Sequence, residues 1–161
     1  IICIFFSSMS AVAKENEVIT LAAGEWLPYS GKDIKGGGVA TTILRTALRK
    51  AGFDLQVDIL PWTRMGQQAA DKYYQGYFPS INCESSQGIN MIASDAISET
   101  VLGFAVTTDA ALKWSKLSDL AGKNIGMVRG QYIPDDLQVF IQNKIIRQHL
   151  VATDIQNLLK L

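Results

Sequence analysis

The stretch VATTILRTALRKAGFDLQVDIL (residues 39–60) decides the fold class, because a helical pattern runs directly into a strand pattern. In its first half, apolar residues recur at the three- and four-residue spacing of one helix face until Gly52. In its second half, apolar residues alternate with polar ones until Pro61, which predicts a strand. The apolar positions are Val39, Ile43, Leu44, Ala47, Leu48 and Ala51 in the helix, and Phe53, Leu55, Val57 and Ile59 in the strand.

A strand pattern precedes this stretch and a helix pattern follows it. Residues 18–23, VITLAA, are a short apolar run rich in β-formers that stops at Gly24. Thr63 is a candidate N-cap for a helix that runs to Tyr74, and residues 77–81 resume an extended segment. The order strand, helix, strand, helix predicts an α/β fold with a parallel sheet covered by helices.

The remainder of the chain repeats these patterns. Strands are predicted at residues 101–106, 124–128 and 145–151, a helix is predicted at residues 134–142, and Thr153 is the N-cap of a last helix. The sequence therefore predicts a second α/β unit after the first.

Composition excludes several classes of protein. The chain has 161 residues, of which 48% are hydrophobic and 19% are charged, as in an ordinary globular protein. Lys and Arg number 15 and Asp and Glu number 15, so the formal net charge is zero. A neutral chain has no basic surface with which to hold a phosphate backbone, so we expect no nucleic-acid partner.

The N-terminal residues 1–13 have the features of an export signal. They carry no charge, begin with the apolar run IICIFF and end in Ala11-Val12-Ala13, which fits the small-x-small cleavage rule. We therefore predict cleavage after Ala13 and a periplasmic location. The alternative interpretation is an N-terminal core strand. No initiating Met precedes the run, so we expect the true start to be missing.

Cysteine and histidine offer no metal or disulfide chemistry. After cleavage Cys83 would be the only thiol, and we interpret it as a small buried hydrophobe. His149 is the single histidine and lies in a predicted strand. A zinc site needs more ligands than these, so we predict neither a metal nor a cofactor.

Aromatic and cationic side chains follow the predicted strands. Ligands of open parallel sheets bind beyond the carboxyl ends of the strands, where the loops that carry Trp26, Trp62 and Ser80 converge. Arg64 lies in the first turn of a predicted helix, where a positive charge opposes the helix dipole, and this indicates an anionic partner. The glycines 36–38 lack the pattern of a phosphate-binding loop, and we expect them to loosen the entry to the helix.

Several segments together resemble the extracellular solute-binding proteins of family 3, the periplasmic receptors of ABC importers for amino acids and related polar solutes. The segment from Trp114 to Tyr132 is the most specific of them. The segments are LAAGEWLPYSG (21–31), GGGVATTILRTALRKAG (36–52), LPWTR (60–64), GYFPS (76–80), SDAISETVLGFAV (94–106) and WSKLSDLAGKNIGMVRGQY (114–132).

This resemblance implies a bilobed fold of the type II periplasmic-binding-protein class, in which a ligand is trapped as two α/β lobes close. The chain would comprise a signal-peptide remnant (residues 1–13), a complete first lobe (14–104) and an interrupted second lobe (105–161), with a hinge strand at residues 101–106. We expect a product truncated at both ends, a monomer, and an ABC permease as its partner.

The resemblance also implies a set of ligand-binding residues and no catalysis. In the first lobe aromatic residues cradle the ligand and a basic residue binds its carboxylate, and in the second lobe a turn offers backbone N–H groups to an anion. The residues at these positions are Trp26, Tyr29, Trp62, Arg64, Ser80 and Asn82 in the first lobe, and Arg129, Gly130 and Tyr132 in the second.

One segment departs from the family pattern. Amino-acid binders usually have an arginine that clamps the α-carboxylate, and residues 84–90, ESSQGIN, contain no basic side chain. Either Arg64 or Arg129 then binds the anion, or the ligand is of another class. The alternative function is an enzyme on the same fold, a prephenate-type dehydratase or a domain of a lytic transglycosylase, for which Asp33, Glu84 and Asp95 are candidate carboxylates by residue type only.

Overall fold

The computed structural model describes residues 16–68, 73–81, 92–110 and 112–161, with the side chains of residues 66–68 left aside. The predicted signal segment (1–13), Asn82, Cys83 and the segment 84–90 lie outside the described residues. Within them the fold is mixed α/β with parallel sheets, which confirms the α/β class that the strand and helix patterns predict.

The first unit is a parallel three-stranded sheet with helices in its connections. Its elements are β1 (Glu17–Gly24), α1 (Val39–Lys50), β2 (Phe53–Leu60), α2 (Trp62–Gln68) and β3 (Gly76–Phe78), and the strand order is β2-β1-β3. In the register, Ala23 lies between Ile59 of β2 and Phe78 of β3. Strands β1 and β2 therefore end side by side, at Gly24 and Leu60.

The core of the first unit lies between α1 and one face of the sheet. Ala23, Ala40 and Phe78 are buried there, and four partly buried apolar side chains pack against them. Those side chains are Leu21, Leu44, Val57 and Ile59. Leu21, Val57 and Ile59 are alternate strand positions, as the pattern predicted. The predicted helix stripe is only partly buried: Leu44 packs on the core, whereas Val39 and Ile43 are exposed and the buried helix residues are Ala40 and Thr41.

The second unit contains a short 3₁₀ helix (Leu117–Leu120), β4 (Asn124–Val128), α3 (Asp135–Gln142), β5 (Arg147–Val151) and α4 (Asp154–Leu158). β4 and β5 pair in parallel. The core of this unit is formed by Leu120, Leu137 and Ile146. The predicted cap of the last helix is confirmed, because Thr153 Oγ1 accepts a hydrogen bond from the Gln156 N–H at 3.3 Å.

Two local predictions for α2 are wrong. The helix begins at Trp62, and the N–H groups of Arg64 and Met65 both donate to the Pro61 carbonyl, so Thr63 lies inside the first turn and caps nothing. The predicted end at Tyr74 also fails, because residues 73–75 are not helical.

The predicted hinge strand at residues 101–106 is not a strand. These residues have no regular secondary structure, and the Val101 side chain is 96% exposed. A strand requires a neighbour to satisfy its backbone, and none of the described strands pairs with this segment. Phe104 instead packs against the core of the second unit, with its ring edge-on to Trp114 at 5.2 Å.

Candidate functional site

The loop that follows β1 is a tight hairpin rather than a free connection. The Trp26 N–H donates to the Ser30 carbonyl at 2.8 Å, and the Ser30 N–H donates back to the Trp26 carbonyl at 2.9 Å. The Ser30 side chain is fully buried, and its hydroxyl donates to the Gly24 carbonyl at 2.6 Å. These bonds hold Trp26 and Tyr29 at the carboxyl end of β1.

The glycine turn at residues 36–38 fastens this loop to α1. The N–H groups of Val39 and Ala40, the first two residues of α1, donate to the carbonyls of Pro28 and Tyr29 at 3.2 and 2.9 Å. Gly38 has φ 103° and ψ 173°, which only glycine adopts readily, and a Cβ there would collide with the Tyr29 carbonyl. The expectation that these glycines loosen the helix entry is therefore wrong, because they allow the aromatic loop and α1 to pack backbone to backbone.

Three of the predicted aromatic residues form one cluster. The Trp26 ring meets Tyr29 edge-on at a centroid distance of 5.2 Å and Trp62 at 6.4 Å. Tyr29 is 41% exposed, while Trp26 and Trp62 are partly buried. The cluster presents aromatic surface to solvent beside the ends of β1 and β2, which is the position the strand pattern predicts for a ligand.

Two contacts fix Trp62 within the cluster. Its indole N–H donates to the Glu25 carbonyl at 3.2 Å. A Cβ on Gly24 would lie 2.7 Å from three atoms of the indole ring, so the ring lies directly over that glycine. Since Trp62 begins α2, this packing ties the start of α2 to the end of β1.

Arg64 lies two residues after Trp62, in the first turn of α2, and it is exposed. The one ion pair that joins described residues is Arg49–Asp54 at 3.5 Å, so the Arg64 guanidinium has no carboxylate partner among them. A cation without a partner at the amino-terminal end of a helix is unfavourable for the helix. This arrangement leaves Arg64 free to bind an anion.

The turn after β4 brings the second unit against the first turn of α2, next to Arg64. Gly130, at φ 84°, approaches the first turn of α2 so closely that a Cβ on it would lie 2.6 Å from the Thr63 nitrogen. Arg129 is exposed, and Tyr132 is 40% exposed. Residues from both units therefore meet beside Arg64.

The backbone of this turn is less available to an anion than the sequence suggested. The Arg129 N–H donates to the Val151 carbonyl at 2.9 Å, and the Gln131 N–H donates to the Val128 carbonyl at 3.2 Å. These two groups are used within the second unit. Among the described residues no acceptor is found for the N–H groups of Gly130 and Tyr132, so an anion at this turn would have those two groups and the side chain of Arg129.

The remaining predicted site residues divide between exposed positions and undescribed ones. Ser80 is exposed two residues beyond β3, at the edge where β1 also ends, and Asn82 lies outside the described residues. Of the candidate carboxylates, Asp33 and Asp95 are exposed and Glu84 is not among the described residues.

Sequence reasoning missed two buried residues that build the site, Gly24 and Ser30. Neither carries a motif, and each acts through a contact with a residue in another segment or turn. Thr63, which is exposed, was predicted as a helix cap, and its contact with the Gly130 turn was not foreseen. The one signal was the strand that stops at Gly24 immediately before an aromatic loop.

A separate open groove of about 540 Å³ lies between the glycine turn and β2. Two of its three charged side chains are engaged by the protein: Arg45 donates to the Gly36 carbonyl at 2.8 Å, and Asp58 accepts from the Tyr74 hydroxyl at 3.1 Å. The third, Lys32, is exposed. The groove contains none of the predicted site residues.

Within the described ranges no three His, Cys, Asp or Glu side chains are grouped as metal ligands. His149 lies on β5 as predicted, and its Nδ1 is 3.2 Å from the Lys160 Nζ. No helix in the part of the chain that the structure describes has the length and apolar character needed to cross a membrane.

Comparison of the chain with protein-family models, with curated proteins and with solved structures finds no match. The functional interpretation therefore rests on the geometry of the site.

Proposed function

We propose that this chain is a periplasmic solute-binding protein of an ABC importer, with the bilobed fold of such receptors, and that it captures a small polar solute that carries an anionic group. The first and second units are the lobes in this proposal. The partner is the membrane permease that receives the loaded receptor, and the receptor is a monomer that catalyses no reaction.

The observation that carries the proposal is the meeting of the two units at Gly130 and Thr63, beside the aromatic cluster and Arg64. A receptor that traps its ligand by closure needs ligand-binding groups at the facing edges of two lobes. The aromatic side chains come from the first lobe, and the turn with Arg129 comes from the second.

The chemistry of these groups suits a small anionic solute. The exposed faces and edges of Trp26 and Tyr29 offer apolar contact to the body of the solute. A guanidinium without an ion-pair partner binds a carboxylate through charge-assisted hydrogen bonds, which are about twice as strong as neutral ones. Arg64 is the residue we assign to that anion, and Arg129 is the second candidate.

No observation favours the enzyme alternative. General acid–base catalysis needs a carboxylate held near the reacting group, and Asp33 and Asp95 are both exposed on irregular segments. Binding is therefore the function that the described residues support best.

Isothermal titration calorimetry of the chain against amino acids, opines and small carboxylates tests the proposal. A saturable heat with at least one of these solutes is the expected result. Trp26→Ala should then weaken that binding by roughly tenfold, since the ring forms part of the contact surface.

Trp114→Ala is the matched control, because Trp114 packs against Phe104 in the second unit, outside the cluster. Equal losses of affinity in the two variants would contradict the proposed site. A folded chain that binds none of the three solute classes would contradict the proposed function.

A further inference from the structure

Gly130 occupies a position where the chain has room for a hydrogen and for nothing larger. A Cβ at residue 130 would lie 2.6 Å from the Thr63 nitrogen, 2.9 Å from Thr63 Cγ2 and 3.0 Å from Thr63 Cα. Ordinary van der Waals contact begins at about 3.4 Å, so a side chain at residue 130 and the present arrangement exclude each other.

We infer that Gly130 is the positioning residue through which the second unit docks onto the first turn of α2, and that the lack of a side chain at residue 130 is what permits the docking. The docking contact stands on the geometry alone. Its consequence, the trapping of a solute between the units, rests on the proposed function.

The contact is rigid on the α2 side. Two of the three atoms that would meet the Cβ belong to the Thr63 backbone, and that backbone is held by the hydrogen bonds of Arg64 and Met65 to Pro61. Trimming the Thr63 side chain would therefore not make room for a side chain at residue 130. Trp62, the neighbour of Thr63, is fixed by Gly24 and Glu25, so α2 cannot easily withdraw.

The turn is equally well held on the side of the second unit. The Arg129 N–H donates to Val151 on β5, and the Gln131 N–H donates to Val128 on β4. A side chain at residue 130 would therefore push the second unit away as a body instead of being absorbed by a local shift of the turn.

A comparison of two glycines in the second unit separates the effect of backbone strain from the effect of a collision with Thr63. Gly122 has φ 72°, close to the 84° of Gly130, yet a Cβ at Gly122 would meet nothing within 4 Å. Asn tolerates this left-handed conformation better than other residues with side chains. Gly130→Asn and Gly122→Asn therefore introduce the same side chain on similar backbones, and only the first meets Thr63.

The test measures the distance between the two units without any solute. Spin labels are attached at Lys50→Cys on α1 and Gln138→Cys on α3, both exposed positions, in a chain in which Cys3 and Cys83 are replaced by Ser. Double electron–electron resonance then reports the distribution of distances between α1 and α3.

We expect one narrow distance population in the labelled chain. The same population should appear in the control Gly122→Asn, which keeps Gly130. In Gly130→Asn the docked population should fall roughly tenfold relative to longer distances, the size of effect that one overpacked side chain produces. An unchanged distribution in Gly130→Asn, an equal change in Gly122→Asn, or a labelled chain without the narrow population would each overturn the inference.

The outcome is separable from that of the solute screen. If the chain shows the narrow distance population but binds no solute of the screen, the proposed function is contradicted and the docking contact stands. Solute binding in a chain that shows no docked population would overturn the docking inference alone.

Discussion

The indole ring of Trp62 lies over Gly24, 38 residues earlier in the chain, and leaves no space for a side chain on that glycine. Gly24 is the last residue of β1, and Trp62 is the first residue of α2. The same glycine accepts a hydrogen bond from the buried Ser30 hydroxyl through its carbonyl. One backbone position thus holds both the aromatic loop and the start of the helix that carries Arg64.

Gly24→Ala should displace Trp62 and destabilise the first unit. The added Cβ would lie 2.7 Å from the ring, and overpacking of this kind costs about 1–3 kcal/mol of unfolding free energy. Urea unfolding followed by circular dichroism measures the change. Gly103→Ala is the control, since its Cβ would meet nothing within 4 Å, and equal stability of the two variants would contradict the packing of Trp62 on Gly24.

Gly38→Ala should be more damaging than Gly52→Ala, at the opposite end of α1. Both glycines have positive φ, 103° and 87°, but a Cβ at Gly52 meets nothing within 4 Å, whereas one at Gly38 collides with the Tyr29 carbonyl. We expect a loss of about 1–2 kcal/mol for Gly52→Ala and about 2–4 kcal/mol for Gly38→Ala.

The difference in unfolding free energy between these two variants measures how strongly the aromatic loop is attached to α1. Thermal or urea unfolding of both proteins, each compared with the unsubstituted chain, supplies it. Losses of equal size would mean that Gly38 provides backbone freedom only and that the loop is not fastened by it.

Asp119 should make the stability of the second unit depend on acid pH. Hydrogen bonds from the N–H groups of Ser115 and Lys116, at 2.9 and 3.2 Å, lower the pKa of its carboxyl below the ordinary value. Because the folded-state pKa lies below the unfolded one, this stabilisation is complete above about pH 4 to 5 and is lost as the pH falls through the folded-state pKa.

Asp119→Asn retains an acceptor oxygen but does not titrate. We expect the unsubstituted chain to lose more stability than this variant when the pH is lowered from about 5 to 3. Asp33→Asn is the control, since Asp33 is exposed and no hydrogen bond of its carboxylate is found among the described residues. Parallel stability curves for the unsubstituted chain and Asp119→Asn would refute the assignment.

Local patterns predicted those parts of the fold whose causes are local. The helix at Val39–Lys50 was predictable from the spacing of its apolar residues, although the face that it buries is that of Ala40 and Thr41. β4 at Asn124–Val128 follows from its apolar run, and Thr153 is a cap because its hydroxyl reaches a nearby N–H. The aromatic cluster was predictable in outline, because parallel strands end at a common edge.

The other features of the fold depend on contacts between segments that are distant in the sequence, and a local sequence pattern does not predict such contacts. Residues 101–106 have the composition of a strand but lack a neighbouring strand among the described residues. The glycines 36–38 looked like a flexible entry, and only the carbonyls of Pro28 and Tyr29 reveal why they are needed. The approach of Gly130 to Thr63 joins residues from two units, so its significance cannot be read from either segment alone.

The most direct test of the central claim, that the site by the aromatic cluster binds an anionic solute through Arg64, is calorimetry of Arg64→Ala and Arg64→Lys with the tightest-binding solute of the screen. A lost charge-assisted contact of about 1.5–3 kcal/mol should weaken binding roughly ten- to a hundred-fold in Arg64→Ala and less in Arg64→Lys. Arg49→Ala, which removes the same charge at an exposed site on α1, should bind as the unsubstituted chain does. Unchanged affinity in both Arg64 variants would contradict the account and move the anion site elsewhere, with Arg129 as the next candidate.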